Sequence, residues 1–198
     1  MMKKVELKKT AFIIALFVIL FLMCSCTDKA AYTKSVYENQ LYGSLESNFK
    51  YYYSMDLWSI EQIAIGVSSI SANSDAQCYH LSGKIDAMLS YSSYYLYLTV
   101  SGQNYLSSKL IPDSLNTALG SFFDAKTGYL TTVNSDLQNG RSLINKQDFR
   151  QSNSALASAL RDLNVDVFNL NEDQMNEYIN KINSATDLMK NITSKQKS

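Results

Sequence analysis

LNTALGSFFDAKTGYLTTVNSDL, Leu115 to Leu137, carries its large apolar residues at Leu115, Leu119, Phe122, Tyr129, Val133 and Leu137. Steps of three and four residues, or their sums, return to one side of a helix, whereas a strand would need strict alternation. The stretch also has edges. Pro112-Asp113-Ser114 breaks and restarts the chain, because the residue before a proline avoids the α region and Asp113 or Ser114 can cap the helix that begins there. Asn139-Gly140 suits a left-handed cap at the far end. Pro112 is the single proline in 198 residues, so the commonest helix breaker is missing elsewhere and long helices are open to the rest of the chain.

The flanking sequence keeps the same period. Upstream, Leu41, Leu45, Phe49, Tyr52, Ile60, Ile63, Val67 and Ile70 mark one face of a helix from about Thr33 to Ser71. Gly43 and Gly66 each cost it about 1 kcal/mol unless they serve a bend or close packing. SANSD, Ser71 to Asp75, is turn and N-cap chemistry. A second helix, Ala76 to Leu110, carries Leu81, Ile85, Met88 and Leu89 in phase. Its YYLYLTV segment, Tyr94 to Val100, has strand propensity. A lone strand among helices would lack a ladder partner, so helix is expected there too, with Ser92, Tyr95, Thr99, Gly102, Leu106 and Leu110 inward. Downstream, a less regular stretch reaches Ser152, and Leu156, Ala159, Leu160 and Leu163 form a shorter helix ending near Val165 to Leu170. Asn171 and Gln174 then make a capping-box pattern, Glu172 and Asp173 sit where the helix dipole favours negative charge, and Met175, Tyr178, Ile179, Ile182, Ala185, Met189 and Ile192 line a last helix. The expected fold is all-α, an antiparallel bundle of four to five amphipathic helices over 35–198 around one core.

The front end has a different character. Lys3, Lys4, Lys8 and Lys9 form a basic leader, and Ala11 to Met23 is apolar throughout. That run falls short of the roughly 20 residues a spanning helix needs, which favours an export signal over a permanent anchor. Met23, Cys24, Ser25 and Cys26 resemble the lipobox of bacterial lipoproteins. The resemblance implies that residues 1–25 are a signal peptide cut between Ser25 and Cys26, that the Cys26 thiol carries a diacylglyceryl group, and that its new amine takes an acyl chain of the palmitate class. Cys24 is the poorer acceptor, because Phe21, Leu22 and Met23 would place a bulky residue at the cut. Residues 26–34 would be a tether. Two or three acyl chains hold a domain stably at a membrane where one does not. Thr27 in place of an aspartate implies, by the same resemblance, the outer membrane in a Gram-negative cell. An uncleaved signal anchor and a secreted chain with a Cys26–Cys78 disulfide are the competing readings.

Little in the remaining chain suggests catalysis. Lysine plus arginine balance aspartate plus glutamate at 18 each, and no basic run beyond the leader suggests a nucleic-acid partner. His80 is the sole histidine. It lies two residues from Cys78, on a different helix face, and no Glu-x-x-His pair exists for a bundle metal site, so no metal or other cofactor is expected. Nucleophile-elbow, phosphate-loop and dinucleotide glycine patterns are missing, and no carboxylate pair stands out. Asn191-Ile192-Thr193 matches a glycosylation acceptor without meaning in a bacterial lipoprotein.

The aromatic residues are the functional clue. Tyr51, Tyr52 and Tyr53 precede Trp58, and Tyr91, Tyr94, Tyr95 and Tyr97 crowd the second helix. Successive helical residues are 100° apart, so three tyrosines in a row cannot all face a core. Tyr51, Tyr53, Trp58, Tyr91, Tyr94 and Tyr97 are therefore candidates for a binding surface, set against the alternative that their rings pack the core with only hydroxyls in water. The expected function is a membrane-anchored envelope lipoprotein that binds or supports, its partners being the membrane through Cys26 and an envelope or extracellular protein. An exclusion lipoprotein that blocks phage or plasmid uptake is the alternative, and an envelope enzyme with a site not local in sequence is the third.

Overall fold

Leu115 to Leu137 lies on one helix, and that helix lines the core shared by the others. The structure, a computed structural model, describes residues 36, 39, 40, 42–71, 73–100 and 111–195, with the backbone alone for 91–100. The chain divides into two compact units, Met1–Ser44 and Leu45–Ser198. In the first, the described residues are helical. The segments expected to be a signal peptide, 1–25, and a tether, 26–34, with Cys26, lie outside the described residues, as do Leu41, Gly102, Leu106 and Leu110.

The helices are α1 over 42–69, α2 at Asp75–Val100, α3 at Asp113–Gln138, α4 at Gln147–Arg161 and α5 at Glu172–Ser194, with a 3-10 turn at Val167–Asn169. No strand occurs among the described residues, and Tyr94 to Val100 is helical. The fold is an all-α bundle. Helices α2 and α3 run antiparallel, since Asp75 pairs with Arg141 while Ser82 meets Asn134, and so do α4 and α5, since Asp148 pairs with Lys195 while Leu163 meets Tyr178; α1 and α2 pack where Gly66 meets Leu81.

The predicted stripe of α3 is the centre of the core, with Leu115, Leu119, Phe122, Tyr129, Val133 and Leu137 all buried. The same apolar cluster takes in Phe49, Leu57, Ile60 and Ile63 of α1, Leu81 and Ile85 of α2, Phe149 and Leu156 of α4, and Ile182 and Met189 of α5. Gly66 serves close packing, since a Cβ there would stand 3.1 Å from the Leu81 Cδ1.

The ends show how local chemistry sets the bounds. Asp113 and Ser114 do not cap α3: Pro112 takes the N-cap position with no side-chain cap, and Asp113 is the first helical residue, placed to meet the dipole. At the other end Gly140 has φ 120°, and the Arg141 N–H reaches back to the Asp136 carbonyl at 2.9 Å, a Schellman closure. Arg141 itself has φ 61° and is held by a 2.6 Å ion pair to Asp75. The buried Asp136 carboxylate accepts from the N–H groups of Leu143 and Ile144 at 3.0 Å each, which lets this irregular segment bury two aliphatic side chains. The Asn171–Gln174 capping box is present in both directions.

One helix begins earlier than its apolar pattern. Helix α4 starts at Gln147 instead of after Ser152. Its first buried turn is Phe149 and Asn153, and the amide of Asn153 accepts from the Tyr129 hydroxyl at 2.7 Å and donates to the Phe149 carbonyl at 2.9 Å. A polar residue fills an inward position there, so the apolar period is masked in the sequence.

Candidate functional site

Helix α1 has two apolar faces. Phe49, Tyr53, Leu57 and Ile60 point into the bundle. Tyr51, Met55 and Trp58, at i, i+4 and i+7, fall within about 60° of one another on the opposite side. Tyr51 is 61% exposed and Trp58 57%, and Met55 and Tyr52 are exposed as well. The Tyr51 and Tyr52 rings meet edge to face with centroids 5.2 Å apart. Between Lys50 and Glu61 the only carboxylate or cationic side chain is Asp56, and it is turned inward. The outer face of these two and a half turns is therefore aromatic, hydroxyl-bearing and free of charge.

The structure divides the expected binding residues. Tyr51 and Trp58 stand on the outer face. Tyr53 does not: it is 3% exposed, a core residue, while Tyr52, expected inward, is exposed. The reason is rotational. From Phe49 the inward position falls four residues on, at Tyr53, and the next ones at Leu57 and Ile60; a three-residue step to Tyr52 would carry the face away from α3 and α5. The side chains of Tyr91, Tyr94 and Tyr97, with those of Ser92, Tyr95 and Thr99, lie outside the described residues. Met55 escapes a reading based on rings alone, although its i+4 relation to Tyr51 is plain in the sequence.

Behind this face lies a buried polar cluster. The Tyr53 and Tyr178 hydroxyls are 2.7 Å apart, and Tyr178 Oη stands 3.0 Å from the Leu163 carbonyl. One proton per hydroxyl fixes the chain: Tyr178 donates to the carbonyl and accepts from Tyr53. Burial drives the Tyr53 phenol well above its ordinary pKa, with Tyr178 and Asp56 adding to the shift, and burial likewise raises Tyr178 and Tyr129. One turn from Tyr53, Asp56 pairs with Lys126 at 2.8 Å, the two side chains being 3% and 1% exposed, and the ammonium also lies 5.2 Å from the Phe123 ring centroid. Among the described residues every buried side-chain nitrogen and oxygen has a hydrogen-bond partner. The cluster holds α1 against α3 and α5.

Two of the clefts among the described residues are small. One of about 190 Å³ includes Lys50, Tyr53, Ser54, Asn164 and Asp166 in its wall. Lys50 bridges Glu46 at 2.7 Å and Asp166 at 2.8 Å, and the hydrogen bond to Asp166 is the chief cause that raises the lysine pKa and lowers that of the aspartate. Another, of about 270 Å³, lies between α4 and α5, where Glu177 pairs with Lys181. Cys78 is a buried free thiol while His80, two residues on, is exposed, so the two face apart as their spacing implies. Among the described residues no group of three or more histidine, cysteine, aspartate or glutamate side chains is placed to hold a metal ion, and none of the described helices is long and apolar enough to cross a membrane.

The fold and this face define an all-α bundle with an aromatic outer helix. No protein-family model matches the chain, and no curated protein or solved structure does.

Proposed function

We propose that this chain is a lipid-anchored module of a bacterial cell envelope that acts by binding, with the outer face of α1 as its contact surface. The observation that carries the reading is that Tyr51, Met55 and Trp58 stand in water on the side opposite the core, while the one charge in their stretch is spent inside the bundle on Lys126. A soluble helix ordinarily turns charged and polar residues outward, so an aromatic, uncharged outer stripe is the feature a contact surface needs. The buried polar groups are engaged with one another, which supports a scaffold role for them in place of chemistry. The lipobox resemblance at Met23 to Cys26 supplies the anchor, and Thr27 favours the outer membrane in a Gram-negative cell.

Two measurements test this. Intact mass of the protein extracted from membranes should correspond to a chain beginning at Cys26 plus lipid, and the lipid should be lost in Cys26→Ala. A photo-crosslinking residue at position 58 in cells should capture a neighbour, whereas one at Asn183, on the exposed side of α5, should not. Equal capture from both positions, or none from 58, would remove α1 as the contact surface.

A further inference from the structure

We infer that the surface met by the outer stripe of α1 is the lipid bilayer that holds the anchor, so that the bundle lies on the membrane along α1. The inference rests on the lipid-anchored reading and names the occupant of the same face.

Four observations lead there. The first is area. Aromatic side chains cover roughly 150–250 Å² each when fully buried, so the exposed parts of Tyr51, Tyr52, Met55 and Trp58 offer on the order of 400 Å² together. A stable protein interface needs about 800 Å² per partner, twice what these four side chains offer, so a second copy or a free protein partner would have to draw the other half from the polar residues around them. A surface to which the chain is already tethered needs much less, because the second contact forms at an effective concentration in the millimolar range.

The second is chemistry. Tyrosine and tryptophan with one thioether, flanked by Ser47, Asn48, Ser54 and Ser59 and with the charges at either end held in pairs, Lys50 with Glu46 and Asp166 and Arg161 with Glu61, are what the headgroup level of a bilayer accepts: apolar bodies with polar tips. The third is shape. The four side chains lie exposed on a single helix, and none of them lines the cleft at Lys50 and Ser54 beside them, so that cleft does not make them the wall of a small-ligand site. The fourth is reach. Tyr42 stands sixteen residues after Cys26. That length spans up to about 55 Å if extended and about 24 Å if helical, and either lets α1 touch the membrane in which Cys26 is fixed.

Trp58 is the only tryptophan of the chain, so its fluorescence reports this face alone. The native protein, extracted in detergent and weighed by mass spectrometry, is reconstituted into phosphatidylethanolamine–phosphatidylglycerol vesicles with and without spin-labelled lipid. Lipid contact places the indole about 5–10 Å into the headgroup and acyl boundary, so a label near the headgroup should remove about half of the emission and one at the acyl terminus much less. Iodide in the buffer should quench weakly. Replacing Tyr51→Ser and Met55→Ser together, both exposed and outside the core, should shift the balance back toward iodide.

Free quenching by iodide with none by lipid, in a sample whose mass shows lipidated Cys26, overturns the inference and leaves the anchor standing. Protection from iodide without quenching by lipid also overturns it, in favour of a protein partner or a second copy. If the mass shows no lipid, quenching by labelled vesicles still upholds the contact although the anchor has failed, and no quenching removes both.

Discussion

Lys126→Met takes an ammonium out of a site where it is 1% exposed and leaves the Asp56 carboxylate, 3% exposed, without its cation. Two unit charges about 4 Å apart attract by roughly 4 kcal/mol at the effective dielectric of about 20 that suits proteins. Withdrawing each ion from water costs several kcal/mol, so the pair as a whole contributes little, yet breaking it by removing one member costs about 3–5 kcal/mol. For a unit of about 150 residues each kcal/mol lowers Tm by about 2–4 °C, which puts the loss for Lys126→Met near 6–20 °C. Asp56→Leu combined with Lys126→Met replaces both charges by apolar groups, and its stability is expected within about 2 kcal/mol of the parent. Urea and thermal unfolding of the parent, both single variants and the double variant, followed by circular dichroism, complete the cycle. If Lys126→Met melts like the parent, or the double variant loses the sum of the two singles, the argument from a dry, mutually dependent pair is wrong.

Three further outcomes come from the packing. Gly128→Ala on α3 meets nothing nearer than Thr193 at 3.8 Å and should gain about 0.5–1 kcal/mol from helix propensity, whereas Gly66→Ala must displace Leu81 from 3.1 Å and should show no such gain; paired urea titrations decide it. Asn171→Ala removes one half of the capping box on α5 and should cost about 1 kcal/mol in the same assay. Tyr53, Tyr129 and Tyr178 have pKa values raised by burial, so their contribution is complete below the ordinary tyrosine pKa of 10.0 and is lost as pH climbs through the raised values. An ultraviolet titration should then find these three of the 14 tyrosines ionising late and together with unfolding, and early titration of all 14 would contradict their burial.

The bundle was legible wherever an apolar stripe ran unbroken. Leu115 to Leu137 and Tyr178 to Ile192 needed only the helical period, and Asn171-Gln174 announced its cap by side-chain type. Reading failed where a polar residue occupies an inward position. Asn153 hid the start of α4, because its partner, the Tyr129 hydroxyl, belongs to another helix. Asp56 hid the rotation of α1: with a charge at the inward position between Tyr53 and Ile60, Tyr52 and Tyr53 were equally good continuations from Phe49. A signal was present nonetheless. The stripe of α3 skips a turn between Phe122 and Tyr129, and Lys126 stands in the gap; the stripe expected on α1, Phe49, Tyr52 and Ile60, skips one at Asp56, although the structure fills that turn with Leu57. Two gaps of opposite charge imply a pair, but nothing local tells which of the chain's cations meets an aspartate 70 residues away. Of the outer face, Tyr51 and Trp58 were found by aromatic crowding, and Met55 needed the helical offset as well.

The Asp56–Lys126 pair also acts as a key in a keyway. A helix with apolar groups all round has no strong preference for one rotation about its axis, and α1 carries Tyr51, Tyr52, Tyr53, Met55, Leu57 and Trp58 within eight residues. A carboxylate that meets its cation on α3, together with the Tyr53 hydroxyl that meets Tyr178 on α5, limits that freedom and so bears on which rings meet the outside. The interior and the exterior of α1 are thus one trait. A change at Lys126, a residue invisible from solvent, would reach the surface as a different set of exposed aromatics.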